Sequence, residues 1–333
     1  MTPLHEGGTR RLLRLRGRVG ERRTPVRVRA PAKINLTLEI LARREDGFHA
    51  LRSVMVPIGL ADELEFAPGE RFTFACDPPS LAADNLVIRA LARLGQAAAP
   101  LAVTLRKRVP AGAGLGGGSS DAAAVLRAAM DGTFGDAGER DWIADARALG
   151  SDVPFFLIDG PALVEGTGER VTALGAAPPW WIVLLVPGAH VATRRAYEAL
   201  AAVRAAAPVP ARPRSGSATL ACGEALQRGD FATVLATMTN DFEPVVRAAY
   251  QPVDVALVAL EAAGAPGRAM LSGSGGACFA LFEFEGNARA FADRLRAPAG
   301  TSVQVVPFAT SGKWVDSPKA NPSRSSLRGG PPA

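Results

Sequence analysis

The chain has 333 residues, 48% hydrophobic and 21% charged, enough for two domains with real cores. Its formal charge of +6 sits at the ends, because removing the +5 of residues 1–26 and the +3 of residues 310–333 leaves −2 for the body, which gives no argument for a nucleic-acid partner. The longest strongly apolar run, Trp180–Val186, is far short of the ~20 residues of a membrane span, and Cys76, Cys222 and Cys278 are widely spaced with no CxxC pattern, which argues against a disulfide framework or zinc site and for a reducing cytoplasm.

The Arg-rich start, Arg10 to Arg23, lacks the apolar core of a secretory signal. With Glu6 and Glu21 among its basic residues and no serine, it reads as a solvated extension or the product of an upstream start codon rather than an organelle transit peptide. Residues Val26–Arg29 and Ile34–Ile40 alternate apolar and polar, which predicts two strands broken at Pro31. Strand-like runs at Leu64–Phe66, Phe72–Phe74 and Leu101–Leu105 surround a helical stretch at Asn85–Leu94. A glycine cluster, Gly112–Gly118, then leads through Ser119, Ser120 and Asp121 into an alanine-rich helix over Ala122–Met130, with Ser or Asp as its N-cap.

Near residues 176–180 the composition turns to Ala-Ala-Pro-Pro-Trp, followed by a continuous apolar strand at Trp181–Val186, and the domain boundary is expected there. Helices follow near Arg194–Ala206, Phe231–Met238 and Val253–Ala263, the last stopped by Gly264, with a Pro/Arg/Ser loop at 208–217 and a strand at Ala277–Phe284. Strands and helices without strict βαβ alternation predict an α+β protein of two domains.

The segment Lys107–Ser120 passes from a strand through glycines into a helix, an arrangement that holds phosphate with backbone N–H groups and the positive end of a helix dipole. Gly112, Gly114 and Gly117 formally match GxGxxG, but no second apolar strand ending in an acidic residue follows, since 131–136 is a polar loop. A Walker P-loop is excluded because no lysine stands in the GK[ST] position. A purely structural turn has no need of two serines at the helix start.

At Pro110–Ala124 the sequence resembles the ATP-binding signature of the GHMP kinase superfamily. Further matching segments are Ala30-Pro-Ala-Lys33-Ile-Asn35-Leu-Thr-Leu, Asp46-Gly-Phe48-His49, Asp84-Asn85-Leu86, Gly150-Ser-Asp152-Val-Pro-Phe-Phe156 and Leu271-Ser-Gly-Ser-Gly-Gly276. The resemblance covers residues 27 to about 308 and is strongest to the cytidyl-sugar kinase branch, which serves isoprenoid-precursor synthesis. It implies an N-terminal ATP-binding domain over 27–177, a ferredoxin-like C-terminal domain over 178–309, and disordered extensions at 1–26 and 310–333.

The implied activity is transfer of the ATP γ-phosphate to an alcohol group, with Mg²⁺ accompanying ATP. Asp152, in a turn fixed by proline, is then the candidate base, although a turn or N-cap aspartate is the plainer role. Lys33 is the candidate for stabilising transition-state charge and keeping Asp152 ionised, against the plainer role of a surface lysine. On the ATP side the resemblance implies Asn85 and Lys107 at the adenosine, with Pro110, Gly112, Gly114, Leu115, Gly116, Gly117, Gly118, Ser119 and Ser120 forming the phosphate loop. For the cytidyl substrate it implies Phe48 and His49 at the cytosine, Tyr197 as the opposite wall, Asn35 at the polyol hydroxyls, and Ser272, Gly273 and Ser274 near the substrate phosphates. Asn240-Asp241-Phe242-Glu243 is expected to serve structure. A small-molecule substrate, a monomer or weak homodimer, and neither a nucleic-acid nor a membrane partner are expected. The remaining alternatives are a GHMP kinase for another alcohol and a non-enzymatic RNA-binding protein.

Overall fold

The computed structural model describes residues 24–43, 49–96, 99–206, 217–309 and 315–316. The basic stretch 1–23, most of the polar tail, and Phe48 lie outside the described residues.

The long strand β1 (Val26–Arg43) pairs antiparallel with β2 (His49–Pro68). Its even-numbered residues from Val28 to Ile40 are apolar and buried, as a period of two requires. The odd residues Lys33, Asn35, Thr37 and Glu39 are polar and buried as well. Polar groups in that position must find partners, so this stretch of strand is where a site can be built. Pro31 does not break the strand as expected. The register with β2 shifts between Pro31 and Lys33, so the residue without an N–H falls at an irregularity of one continuous 18-residue strand.

Next come β3 (Thr73–Asp77), α1 (Leu86–Arg93), β4 (Leu101–Arg106), α2 (Gly117–Met130), α3 (Trp142–Leu149), β5 (Ala162–Gly166) and β6 (Arg170–Ala173). Strands β4 and β5 each pair antiparallel with β2, β3 lies parallel to β4, and β6 pairs with β5. Helix α2 starts earlier than its composition suggested. Gly116, at φ +71°, occupies the N-cap without a side-chain cap, and Ser119, Ser120 and Asp121 lie inside the helix. The first amides of α2 are therefore left for another partner. Helix α1 follows the expected pattern, with the Asn85 side chain accepting from the Val87 N–H at its N-cap.

The second half contains β7 (Trp181–Val186), α4 (Thr193–Ala206), α5 (Ala218–Arg228), α6 (Phe231–Thr237), β8 (Thr239–Asn240), α7 (Glu243–Ala249) and α8 (Gln251–Ala262). It ends with β9 (Met270–Leu271), β10 (Cys278–Phe282), α9 (Glu285–Arg294), β11 (Ser302–Pro307) and β12 (Val315–Asp316). A four-stranded antiparallel sheet of order β11-β7-β10-β9 forms here, while β8 and β12 return to pair with β1 in the first, eight-stranded sheet.

Strand β1 contributes to all three apolar clusters. Val28 and Ala30 pack under α2, Ala32 to Leu36 pack with Ile182 and Phe279 of the second sheet, and Leu38 and Ile40 pack with α7 and α8. The two halves thus share a buried core rather than a solvated linker, which makes the groove between them a fixed feature. No helix among the described residues is long and apolar enough to cross a membrane. All three cysteines are free and buried.

Candidate active site

A cleft of about 580 Å³ lies where the glycine loop, the polar residues of β1 and the start of α4 converge. Its centre is Lys33, which is almost inaccessible and donates to Asn35 Oδ1 at 2.7 Å and to the Gly114 carbonyl at 2.9 Å. The Asn35 amide is oriented by its own donation to Ser53 Oγ at 2.8 Å, and that hydroxyl donates to the Thr37 carbonyl at 2.6 Å. Asn35 therefore presents oxygen to the lysine. Asp152 Oδ2 lies 3.8 Å from Lys33 Nζ and is the more accessible partner, with 30% of its side chain exposed. Burial lowers the pKa of Lys33, and the nearby charge of Asp152 opposes that effect. Asp152 sits in the turn closed by Val153 N–H to the Gly150 carbonyl, ahead of the short 3₁₀ turn Phe155–Leu157.

The glycine loop is fastened on two sides. The Lys33 N–H donates to the Leu115 carbonyl at 2.9 Å, and the Ala277 N–H donates to the Ala113 carbonyl at 2.9 Å. Gly114 has φ +77°, and a Cβ there would stand 2.2 Å from the Ser272 carbonyl oxygen, so this approach of two backbones requires glycine. Pro110, Gly112, Gly114, Leu115, Gly116, Gly117, Gly118 and Ser119 all line the cleft. Ser120 does not. It is fully buried, its N–H donates to the Gly116 carbonyl, and its side chain borders a small separate cavity beside Phe155 and Phe156. The helical period turns it away from its neighbour Ser119.

Asn85 and Lys107 both border the cleft, and both are also held within the protein. Asn85 caps α1 and donates to the Leu81 carbonyl at 2.9 Å. Lys107 Nζ is gripped between Asp62 at 2.5 Å and Asp121 at 2.6 Å. Burial pushes the Asp121 carboxyl up to about 7 against the pull of Lys107, and the charge of Asp62 adds to the rise. The other oxygen of Asp62 accepts the N–H groups of Arg108 and Val109, so this carboxylate pins the strand end that leads into the glycine loop. Neither aspartate carried a signal in the sequence, because Asp62 acts across 45 residues and Asp121 resembles an ordinary helix-start acid.

At the far end of the cleft, Tyr197 stacks on His49 with ring centroids 5.4 Å apart and planes 23° from parallel, and meets Phe242 edge-on at 4.7 Å. Burial raises the Tyr197 phenol to about 12, with the charge of Asp152 adding. Of the two, Tyr197 lines the cleft and His49 lies behind it, and no base fits between the two rings at that distance. Gly273 and Ser274 line the cleft, and Ser274 Oγ is 2.9 Å from Thr193 Oγ1. Ser272 is fully buried, with its N–H on the Ala277 carbonyl and its hydroxyl on the Gly114 carbonyl, so it braces the two glycine turns. Thr193, Ser151 and Thr167 also border the cleft and were not singled out by sequence, since isolated hydroxyl residues carry no motif.

The family model for the GHMP kinases N terminal domain matches residues 85–160, and that for GHMP kinases C terminal matches 224–300. A 4-diphosphocytidyl-2-C-methyl-D-erythritol kinase from Geobacter sp. (strain M21) is 37% identical over 284 residues, 83% of this chain and 96% of that protein. The enzyme of the same name from Salinibacter ruber is 39% identical over 303 residues, 85% of this chain and 99% of its own. The crystal structure of a 4-(cytidine 5'-diphospho)-2C-methyl-D-erythritol kinase superposes with a TM-score of 0.68 at 36% identity, covering 85% of this chain and all of that one. Homoserine kinase from Cytophaga hutchinsonii, at 20% identity and a TM-score of 0.61 with 87% and 96% of the two chains covered, shares the fold.

Proposed function

Since the chain belongs to the 4-diphosphocytidyl-2-C-methyl-D-erythritol kinases, a branch of the GHMP kinases, we propose that it transfers the γ-phosphate of ATP to the 2-hydroxyl of that cytidyl polyol, a step of isoprenoid-precursor synthesis. The observation that carries this reading is the meeting of Asp152 and Lys33, 3.8 Å apart, in one cleft that the glycine loop and Tyr197 also line. Phosphoryl transfer needs positioning, charge neutralisation and a proton acceptor, and each is at hand.

ATP would lie with its adenosine toward Asn85 and Lys107 and its phosphates along Gly112–Ser119, where the free amides at the start of α2 and its dipole favour anions. Asp152 would accept the proton of the attacking hydroxyl as the oxygen bonds to the γ-phosphorus and ADP leaves. The Lys33 ammonium would stabilise the charge gathering on the transferred group. Asn35 would contact the polyol, and Gly273 and Ser274 the substrate phosphates.

Cytosine would stack on Tyr197, the aromatic ring that lines the cleft, while Phe48 lies outside the described residues. Mg²⁺, when bound, neutralises phosphate charge. Ser119, which lines the cleft beside the glycine loop, is the residue that would lie near an ion arriving with ATP and keeping much of its water. Three buried free thiols suit a reducing cytoplasm.

The test is ADP release followed with the cytidyl polyol and with mevalonate. Strong preference for the first is expected, and equal or inverted kcat/KM would sink the assignment of substrate.

A further inference from the structure

The motif Asn240-Asp241-Phe242-Glu243 borders the cleft at Phe242 and lies outside the proposed chemistry, yet its side chains bond to the segments around it. Asn240 is 2% exposed and sits in β8, which pairs with β1 at Leu38. Its Nδ2 donates to two carbonyls of one turn, Leu271 and Gly273, both at 2.8 Å. Its Oδ1 accepts the Phe242 N–H at 3.0 Å. Both donors of the amide are therefore committed to a single backbone segment, which fixes where that segment lies.

What the segment touches gives this consequence. A Cβ on Gly273, at φ +59°, would stand 3.0 Å from the Gly114 carbonyl oxygen and 3.1 Å from Lys33 Nζ. The turn is thus wedged against the lysine and the glycine loop, with Ser272 Oγ bonded to the Gly114 carbonyl at 3.1 Å. On the other flank Glu243 accepts the Leu271 N–H at 3.1 Å. Asp241 accepts the Ile40 N–H and an Arg204 N–H, each at 2.8 Å, which holds α4 and with it Tyr197.

Building on the kinase reading above, we propose that Asn240 is a positioning residue for phosphoryl transfer: through the Gly273 turn it holds Lys33 and the Gly114 carbonyl in register with the reacting groups. Without its two donors the carbonyls of Leu271 and Gly273 lose their partners, and the turn is free to relax away from Lys33. Misplacement of about 1 Å at such a site lowers turnover by roughly 10²-fold. The loss should fall on kcat and on KM for the cytidyl polyol, whose phosphates the Gly273 turn would meet, while KM for ATP is spared because the adenosine end does not rest on this amide.

The experiment measures kcat, KM for ATP and KM for the cytidyl polyol in Asn240→Ala, in Asn240→Asp, and in Val246→Ala as a control. Val246 is a buried apolar residue of α7, so its truncation supplies a loss of packing without removing a side-chain hydrogen bond to the turn. Expected are a fall in kcat of roughly 10²-fold for both Asn240 variants, with KM for ATP within about threefold of wild type, and a near-normal kcat for the control. Asn240→Asp keeps the acceptor for Phe242 and loses the donors, so it carries the test if the alanine variant fails to fold. In a Lys33→Ala background, Asn240→Ala should cost less than about threefold more, because the two act as one unit. Undiminished kcat in either Asn240 variant, or full additivity with Lys33→Ala, would overturn the role of Asn240. An inactive wild type would instead overturn the functional reading itself.

Discussion

Replacing Gly114 with alanine tests whether the glycine loop and the 272–276 turn work as one rigid cradle. Its added Cβ would stand 2.2 Å from the Ser272 carbonyl oxygen and 2.6 Å from that of Gly275, both backbone atoms that cannot rotate aside. Reaching ordinary contact requires the two segments to part by about 1 Å. The left-handed backbone at φ +77° adds strain of about 1–2 kcal/mol for a residue with a Cβ. Lys33 is bonded to the Gly114 carbonyl and must follow it. A shift of that size at the reacting centre lowers kcat by roughly 10²-fold.

Gly112→Ala supplies the comparison, because its Cβ would meet the His190 ring at 2.0 Å, an exposed side chain that can swing away. Only the backbone strain then remains, and kcat should fall by less than about threefold. Both variants would be assayed by coupled ADP release at saturating substrates, at a temperature where circular dichroism shows each folded. Similar losses in the two, or a Gly114→Ala enzyme within about threefold of wild type, would refute the rigid cradle.

Asp152→Asn, nearly isosteric and unable to accept the proton, should lower turnover by roughly 10²- to 10⁴-fold while ATP binding by calorimetry is retained, and near-normal turnover would remove Asp152 as the base. Tyr197→Ala should raise KM for the cytidyl polyol by an amount equivalent to about 1–3 kcal/mol of stacking, with KM for ATP unchanged, and a selective effect on ATP would contradict the placing of cytosine. Asp121, held up to about 7 from an ordinary 3.8, binds a proton in the folded protein that the unfolded chain has released. The stability this brings is complete below about 4 and is lost as pH rises through about 7. Asp121→Asn cannot titrate, so its Tm should decline less steeply than wild type between those pH values, and parallel curves would show that Asp121 does not titrate there.

The chemistry was legible in the sequence wherever it is local. Glycines before a small-residue helix need only their neighbours to be read, whereas the roles expected of Lys33 and Asp152 came from the resemblance to the GHMP kinases. Contacts made across the chain were not legible in this way. The grip of Asp62 on Lys107 and the reach of Asn240 to Leu271 and Gly273 join segments that no spacing relates.

Local propensity also misled in two places. Serine and aspartate are good caps, yet the packing of the glycine loop against the second sheet moves the start of α2 back to Gly117 and leaves those residues inside the helix. Proline breaks strands, yet the shift in register at Pro31 lets β1 continue. The stack of His49 on Tyr197 likewise joins residues 148 positions apart that no spacing relates, while Phe48, the expected stacking partner of cytosine, lies outside the described residues.

Phosphorus-31 NMR of the reaction mixture tests the central claim most directly, because it distinguishes transfer to an alcohol from transfer to water. With ATP and the cytidyl polyol, one new phosphomonoester resonance should grow in step with ADP while the cytidyl diphosphate signals persist. ADP accompanied by orthophosphate alone would contradict the account.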